Sequence, residues 1–245
     1  MARKKPDWLS LTIFHGWYNL TVSLPNGYLI MRQLNKHQSF YILFCLLFIS
    51  SQVWGKTLVG DPAAGKEKST PCATCHGPDG NSAAPNWPKL AGQYSNYLAK
   101  QLKEYRLGEK GLRNNPVMAA QVANLSDQDI ADLSAYYASL KQTSGKAKQQ
   151  YVELGQRIYR GGNLETGVTA CAACHGPAGE GNQAANFPRL AGQNAQYIVD
   201  QLRNFREGKR KNSPSDMMSS IGHRMSDEEI EAVSSYIEGL HPCKK

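Results

Sequence analysis

The chain repeats itself, and the spacing of the repeat restricts the fold more than any other feature. Residues 72–76 read CATCH and residues 171–175 read CAACH, an offset of 99 positions. Residues 86–93, NWPKLAGQ, return as NFPRLAGQ at 186–193, with six of eight positions identical and an offset of 100. Ile130, Leu133, Tyr136, Tyr137 and Leu140 return as Ile230, Val233, Tyr236, Ile237 and Leu240 at that same offset of 100. One residue inserted near Glu180 and Gly181 accounts for the step. Solenoid units run roughly 20–50 residues, so a longer period means a duplicated domain. The 245 residues therefore divide into a first domain over 56–140, a polar Gly/Ser-bearing linker over 141–150 and a second domain over 151–245.

Within each copy the apolar period is helical. Tyr94, Leu98, Leu102 and Tyr105 share one helix face, and Asn194, Ile198, Leu202 and Phe205 occupy the matching positions. Ser126 with Asp129, and Ser226 with Glu229, have the three-residue spacing of a capping box at the start of the last helix of each copy. Neither copy holds a sustained period-2 run. The fold class expected is all-α, two tandem helical bundles. A core of fewer than 100 residues is marginal, so each bundle is expected to close around something else.

The cysteines name it. Cys-x-x-Cys-His is the attachment motif of c-type haem: two thiols add to the porphyrin vinyl groups and the adjoining imidazole lies beneath the iron. Both anchors and the ligand must reach one face of one macrocycle, which is why they are contiguous. The positions are Cys72, Cys75 and His76, then Cys171, Cys174 and His175. A thioredoxin-like pair would need a βαβ pattern, and a four-cysteine zinc site would have to borrow one pair from each domain. Two covalently attached haem c groups are expected.

A proximal His leaves the sixth iron position. Between His76 and the linker the only methionine is Met118. It precedes Leu125 by seven residues, as Met218 precedes Met225. Met118 and Met218 are the expected distal ligands. In the second copy Met217, His223 and Met225 remain alternatives. His/Met ligation raises the reduction potential relative to bis-His, which suits an electron carrier.

Taken together, the two CxxCH segments, N-x-P-x-L-A-G-Q, the distal methionines and the L/M-S-D-x-[DE]-I helix start resemble cytochrome c4. That family comprises dihaem class I cytochromes c of the bacterial periplasm, and the likeness covers about residues 57–240. The resemblance implies two class I folds with haem edges facing, passing electrons from a quinol-oxidising cytochrome bc complex towards terminal oxidases. It also implies that Pro88 and Pro188 offer their carbonyls to the proximal histidines, a contact that orients a ligand and tunes its metal.

The remainder is less regular. Arg32 and Lys36, an apolar run from Phe40 to Ile49 and the stretch to Gly55 read as a signal peptide over 31–55, with export to the periplasm. An uncleaved anchor is the alternative, although ten residues span too little bilayer. Residues 1–30 show no clear period and read as an upstream extension ahead of a start at Met31. Cys45 falls in the apolar run; Cys243 is an unpaired tail cysteine that leaves dimerisation open.

The net charge of +8 places +4 in residues 1–55, +4 in 56–148 and none in 149–245. Nucleic acid is therefore not an expected partner; peripheral membrane association is left open. Lys100, Lys103, Arg106, Lys110 and Arg113 form a basic cluster that could steer an acidic redox protein. Three functions compete: a free one-electron carrier with no catalytic residues of its own, a cytochrome subunit of a larger oxidoreductase, and a dihaem peroxidase. The last needs an open iron beside an acid/base group, for which only His223 is near.

Overall fold

A computed structural model describes residues 58–241, together with the backbone of three strands, β1 (Leu9–Phe14), β2 (Trp17–Leu24) and β3 (Gly27–Ile30). The strands belong to a unit of their own, residues 1–57. They form an antiparallel sheet in the order β1-β2-β3, with Leu9 opposite Val22 and Thr21 opposite Ile30. This departs from the reading of no period. Leu20, Val22 and Leu24 alternate with Asn19, Thr21 and Ser23, a period of 2 that the short run conceals. The expected signal peptide over 31–55, Cys45 and Cys243 lie outside the described residues.

The helical unit follows. The first domain contains α1 (Pro62–Lys68), α2 (Thr70–His76), α3 (Ser95–Arg106), α4 (Pro116–Val122) and α5 (Asp127–Ser139). The second contains α6 (Val152–Gly161), α7 (Ala172–His175), α8 (Ala195–Arg206), α9 (Met217–Arg224) and α10 (Asp227–Glu238). Both expected capping boxes form: Ser126 and Ser226 accept from the backbone N–H three residues on, and Asp129 and Glu229 reach back to the cap N–H.

In each domain the first and last helices cross at a glycine. A β-carbon at Gly65 would strike the Asp132 carbonyl, and one at Gly155 the Ala232 carbonyl. Only glycine lets these backbones approach so closely. The crossing brings the chain ends together and leaves the CxxCH segment facing the domain interior.

Residues 141–148 have no regular structure, yet they are tied at both ends. The Thr143 N–H donates to Asn81 at 2.8 Å, the Gly145 N–H to the Glu238 carbonyl at 3.1 Å and the Lys148 N–H to Ser235 at 2.9 Å. The domains themselves meet around the N-termini of α3 and α8. Tyr94 donates to the Glu180 carbonyl at 2.7 Å, and buried Asn194 donates to the carbonyls of Ser82, Ala84 and Trp87.

Arg113 and Arg210, 4% and 7% exposed, lie inside this seam. Arg113 binds Gln101, Tyr197 and Gln201, while Arg210 binds Gln201, Tyr97 and Asn212. The basic cluster expected on the surface is thus largely structural. Arg113 is interior, Lys100 donates to the Asn212 carbonyl, and Arg106 holds Leu125 and Asp127; Lys103 and Lys110 remain exposed.

Candidate haem centres

In the first domain α2 carries Cys72, Cys75 and His76, and Gly77 ends it at φ 82°. A side chain at Gly77 would sit 2.8 Å from the Asn81 carbonyl as well as in the left-handed region. The chain then doubles back. The Gly80 carbonyl accepts from both Leu90 and Ala91 N–H, at 2.8 and 3.1 Å, which sets Pro88 beside the histidine. His76 Nδ1 donates to the Pro88 carbonyl at 2.9 Å.

The second domain repeats this construction. Cys171 caps α7, His175 ends it, and Gly176 turns the chain at φ 78°. The Gly179 carbonyl takes Leu190 and Ala191 N–H at 2.8 and 2.9 Å, and His175 Nδ1 donates to the Pro188 carbonyl at 2.9 Å.

A carbonyl can only accept, so each Nδ1 carries the proton and each Nε2 keeps its lone pair. His76 and His175 are 4% and 7% exposed. Burial lowers both imidazoles below the usual histidine range, partly offset by the proline carbonyl, which favours the neutral ring a metal requires. The four motif cysteines are free thiols rather than disulfides, and burial raises those of Cys72 and Cys171. The Tyr137 hydroxyl is buried without a hydrogen-bond partner. Paired unbonded thiols and a fixed buried imidazole fit a covalent haem in each domain, and the first adds the orphaned Tyr137 hydroxyl.

The expected distal ligands sit on the first turns of short helices. Met118 is the third residue of α4, its N–H accepted by the Asn115 side chain at 3.0 Å. Met218 is the second residue of α9, half-buried, and packs with Cys171 against the core of Ile158, Tyr159, Val199 and Val233. Met217 is the first residue of the same helix, and the other two alternatives fall elsewhere. Met225 is 4% exposed within that core, and His223 is exposed, its Nδ1 bonded to the Ser219 carbonyl.

The comparisons with known proteins agree with this construction. The cytochrome c family model matches residues 62–141 and again 152–241. A cytochrome c4 of Azotobacter vinelandii is 52% identical over 189 residues, 74% of this chain and 90% of that one. The chain belongs to the cytochrome c4 family. The crystal structure of reduced recombinant cytochrome c4 from Pseudomonas stutzeri is 45% identical, covering 75% of this chain and all 100% of that one, with a TM-score of 0.73. A "thiosulfate dehydrogenase electron acceptor" of Stutzerimonas stutzeri is 42% identical, over 69% of this chain and 78% of that one. As a cytochrome c4 homologue the protein is a dihaem electron carrier, with two covalent haem c groups in tandem helical domains.

Two features of the cytochrome c4 fold escaped the sequence reading. Helices α1 and α6 carry the glycine crossings, whose only trace was a glycine near each domain start. The glutamines that end N-x-P-x-L-A-G-Q were legible as repeated letters, not as contacts.

Proposed function

We propose that this cytochrome carries single electrons in the periplasm, from a quinol-oxidising cytochrome bc complex to terminal oxidases, with no substrate chemistry of its own. The observation that carries the reading is the twofold His–Pro bond: in both domains a buried imidazole is held by a carbonyl with its Nε2 free. Each haem, when bound, supplies an iron that cycles between ferric and ferrous.

The chain's own residues do the rest. Cys72 and Cys75, and Cys171 and Cys174, fix each macrocycle by two thioethers. His76 and His175 are the proximal ligands, oriented by Pro88 and Pro188. Met118 and Met218 close the distal positions, which excludes exogenous ligands and favours the reduced state. Met218 is preferred to Met217 because it, unlike Met217, packs against the core that Cys171 also borders. His223, on the exposed face, leaves the peroxidase reading without a buried general base.

The test is optical. The oxidised holoprotein should carry two covalent haems per chain and a far-red methionine-to-iron charge-transfer band. Met118→Ala and Met218→Ala should each remove half of that band. A wild-type band at half strength would sink the carrier reading and bring the peroxidase forward. The 42% identical thiosulfate dehydrogenase electron acceptor favours a second reading, a cytochrome serving one larger oxidoreductase. Stable co-purification with a dehydrogenase would support it over a free carrier.

A further inference from the structure

The two glutamines that close the repeated segment do something neither domain could do alone. Gln93 and Gln193 are 8% and 5% exposed, and each reaches across the seam into the other domain. Gln193 Oε1 accepts the Lys89 N–H at 2.8 Å, and its Nε2 donates to the Lys89 carbonyl at 2.9 Å. Gln93 does the same to Arg189, accepting its N–H at 2.9 Å and donating to its carbonyl at 2.9 Å.

The peptide unit matters here. The Lys89 N–H belongs to the same amide as the Pro88 carbonyl, which takes the His76 Nδ1 proton at 2.9 Å. The Arg189 N–H belongs to the same amide as the Pro188 carbonyl, which takes the His175 proton at 2.9 Å. Each imidazole is therefore joined, through one peptide plane, to a glutamine of the opposite domain.

Amide resonance couples the two ends of that plane. An acceptor on the N–H draws nitrogen density towards the carbonyl oxygen and makes it a stronger acceptor; hydrogen bonds in series strengthen one another by roughly 10–30%. A stronger acceptor on Nδ1–H gives the imidazole more anionic character, so Nε2 donates more to a metal. More donation favours ferric iron and lowers the potential.

We propose that Gln93 and Gln193 are positioning residues that set the reduction potentials of the two haems crosswise, each acting on the haem of the other domain. This rests on His76 and His175 being the proximal ligands. Docking is then part of the redox chemistry: an isolated domain would lose the acceptor behind its proximal histidine. It also separates a tuning contact from a simple clasp, because a clasp has no reason to act on one haem rather than the other.

The experiment is a redox titration of the full holoprotein, with haem resonances followed by NMR so that each midpoint is assigned to its domain. Gln193→Met keeps the side-chain length and removes the acceptor. It should raise the midpoint of the haem on Cys72 and Cys75 and leave the other unchanged. In the half-reduced protein the electron should shift towards that haem. Gln93→Met should do the reverse, and the double variant should raise both midpoints while restoring the wild-type partition.

Equal shifts in both haems from either single variant, a shift only in the variant's own domain, or no shift would overturn the proposal. If the methionine variants do not fold, Gln193→Glu keeps an acceptor for Lys89 and adds charge to it. It should lower the midpoint of the first haem more than that of the second, and the opposite order would overturn the proposal. Assigning the wild-type axial imidazole signals to residue separates the two layers. If they arise from histidines other than His76 and His175, the ligand reading fails and the tuning with it. If they arise from these two and the crosswise shift is missing, the tuning alone fails.

Discussion

In the first domain the helices α1 and α5 meet around a carboxylate, whereas the equivalent α6 and α10 meet around hydrocarbon. Asp132 is 3% exposed. It accepts the Asp61 N–H at 2.9 Å, Gln128 at 2.8 Å and the Lys68 ammonium at 2.7 Å. The residue 100 positions on is Ala232, fully buried against Gly155, on whose helix Ile158 and Tyr159 are 1% and 0% exposed. The second domain's core takes in Ile158, Tyr159, Val168, Ile198, Val199, Leu202, Met225 and four residues of α10; the first gathers Leu98, Leu133, Tyr136 and Tyr137. One backbone crossing, made possible by Gly65 and Gly155 alike, is thus held by two different kinds of force. The fold needs the crossing. It does not prescribe what seals it.

The comparison breaks first at the hydrocarbon seam. Ile158→Ala removes a side chain with almost no exposure and should cost the second domain about 3–4 kcal/mol. Native-state hydrogen exchange on the holoprotein should show α6 and α10 opening while α1 and α5 keep their protection. Equal loss in both pairs would mean that the domains unfold as one unit and that the contrast has no thermodynamic content.

Asp132→Ala tests the polar seam and should cost less, about 2 kcal/mol, because Lys68 can return to water while the Asp61 N–H loses its partner. The same seam predicts a pH dependence of definite sign. Asp132 is held below the usual carboxylate range by the Asp61 N–H, Lys68 and Gln128, and Asp129 is held at about 2 by Lys68 and Ser126. Carboxylates lowered in the folded state contribute in full above their ordinary value of about 4 and lose that contribution as the pH falls through the lowered value. The α1–α5 pair should therefore loosen between about pH 4 and pH 2 ahead of α6–α10, and Asp132→Ala should flatten that difference. A second domain that opened first in acid would contradict this account.

The contrast also marks how far the sequence could be read. The CxxCH pairs and the two capping boxes are local patterns, decided within a few residues, and they were legible. The seam chemistry was not, because Asp132 and Ala232 acquire meaning only when helices 64 or more residues away lie against them. Arg113 shows the same limit from the other side. In the sequence it joined a basic run, but its guanidinium is fixed by Tyr197 and Gln201 from the opposite domain. A residue whose partners lie in a duplicated neighbour looks like surface until the neighbour is in place. Gln93 and Gln193 stood inside the best-repeated segment of the chain, and repetition alone did not say that the two copies hold each other.

The smallest expected effect concerns the helices that present the methionines, where the two domains again solve one problem differently. In the first, Asn115 accepts the Met118 N–H at 3.0 Å and Pro116 opens the helix, so α4 begins on a capped, unstrained turn. In the second, Ser215 and Asp216 both adopt left-handed backbone, φ 48° and 52°, and Asp216 makes no side-chain cap bond. The Met218 N–H is held instead by Ser213 Oγ at 3.2 Å. Asn115→Ala should weaken α4 by about 1 kcal/mol. Ser215→Gly relieves left-handed strain but frees the unfolded chain, leaving a net gain of about 0.5 kcal/mol in α9. Both can be followed by the denaturant concentration at which each half of the methionine–iron band is lost. Wild-type Met118 should hold to the higher concentration. Asn115→Ala should narrow the gap from above and Ser215→Gly from below. Two halves lost together in every variant would show that the methionine helices share one cooperative transition, and that the left-handed turn before Met218 carries no cost of its own.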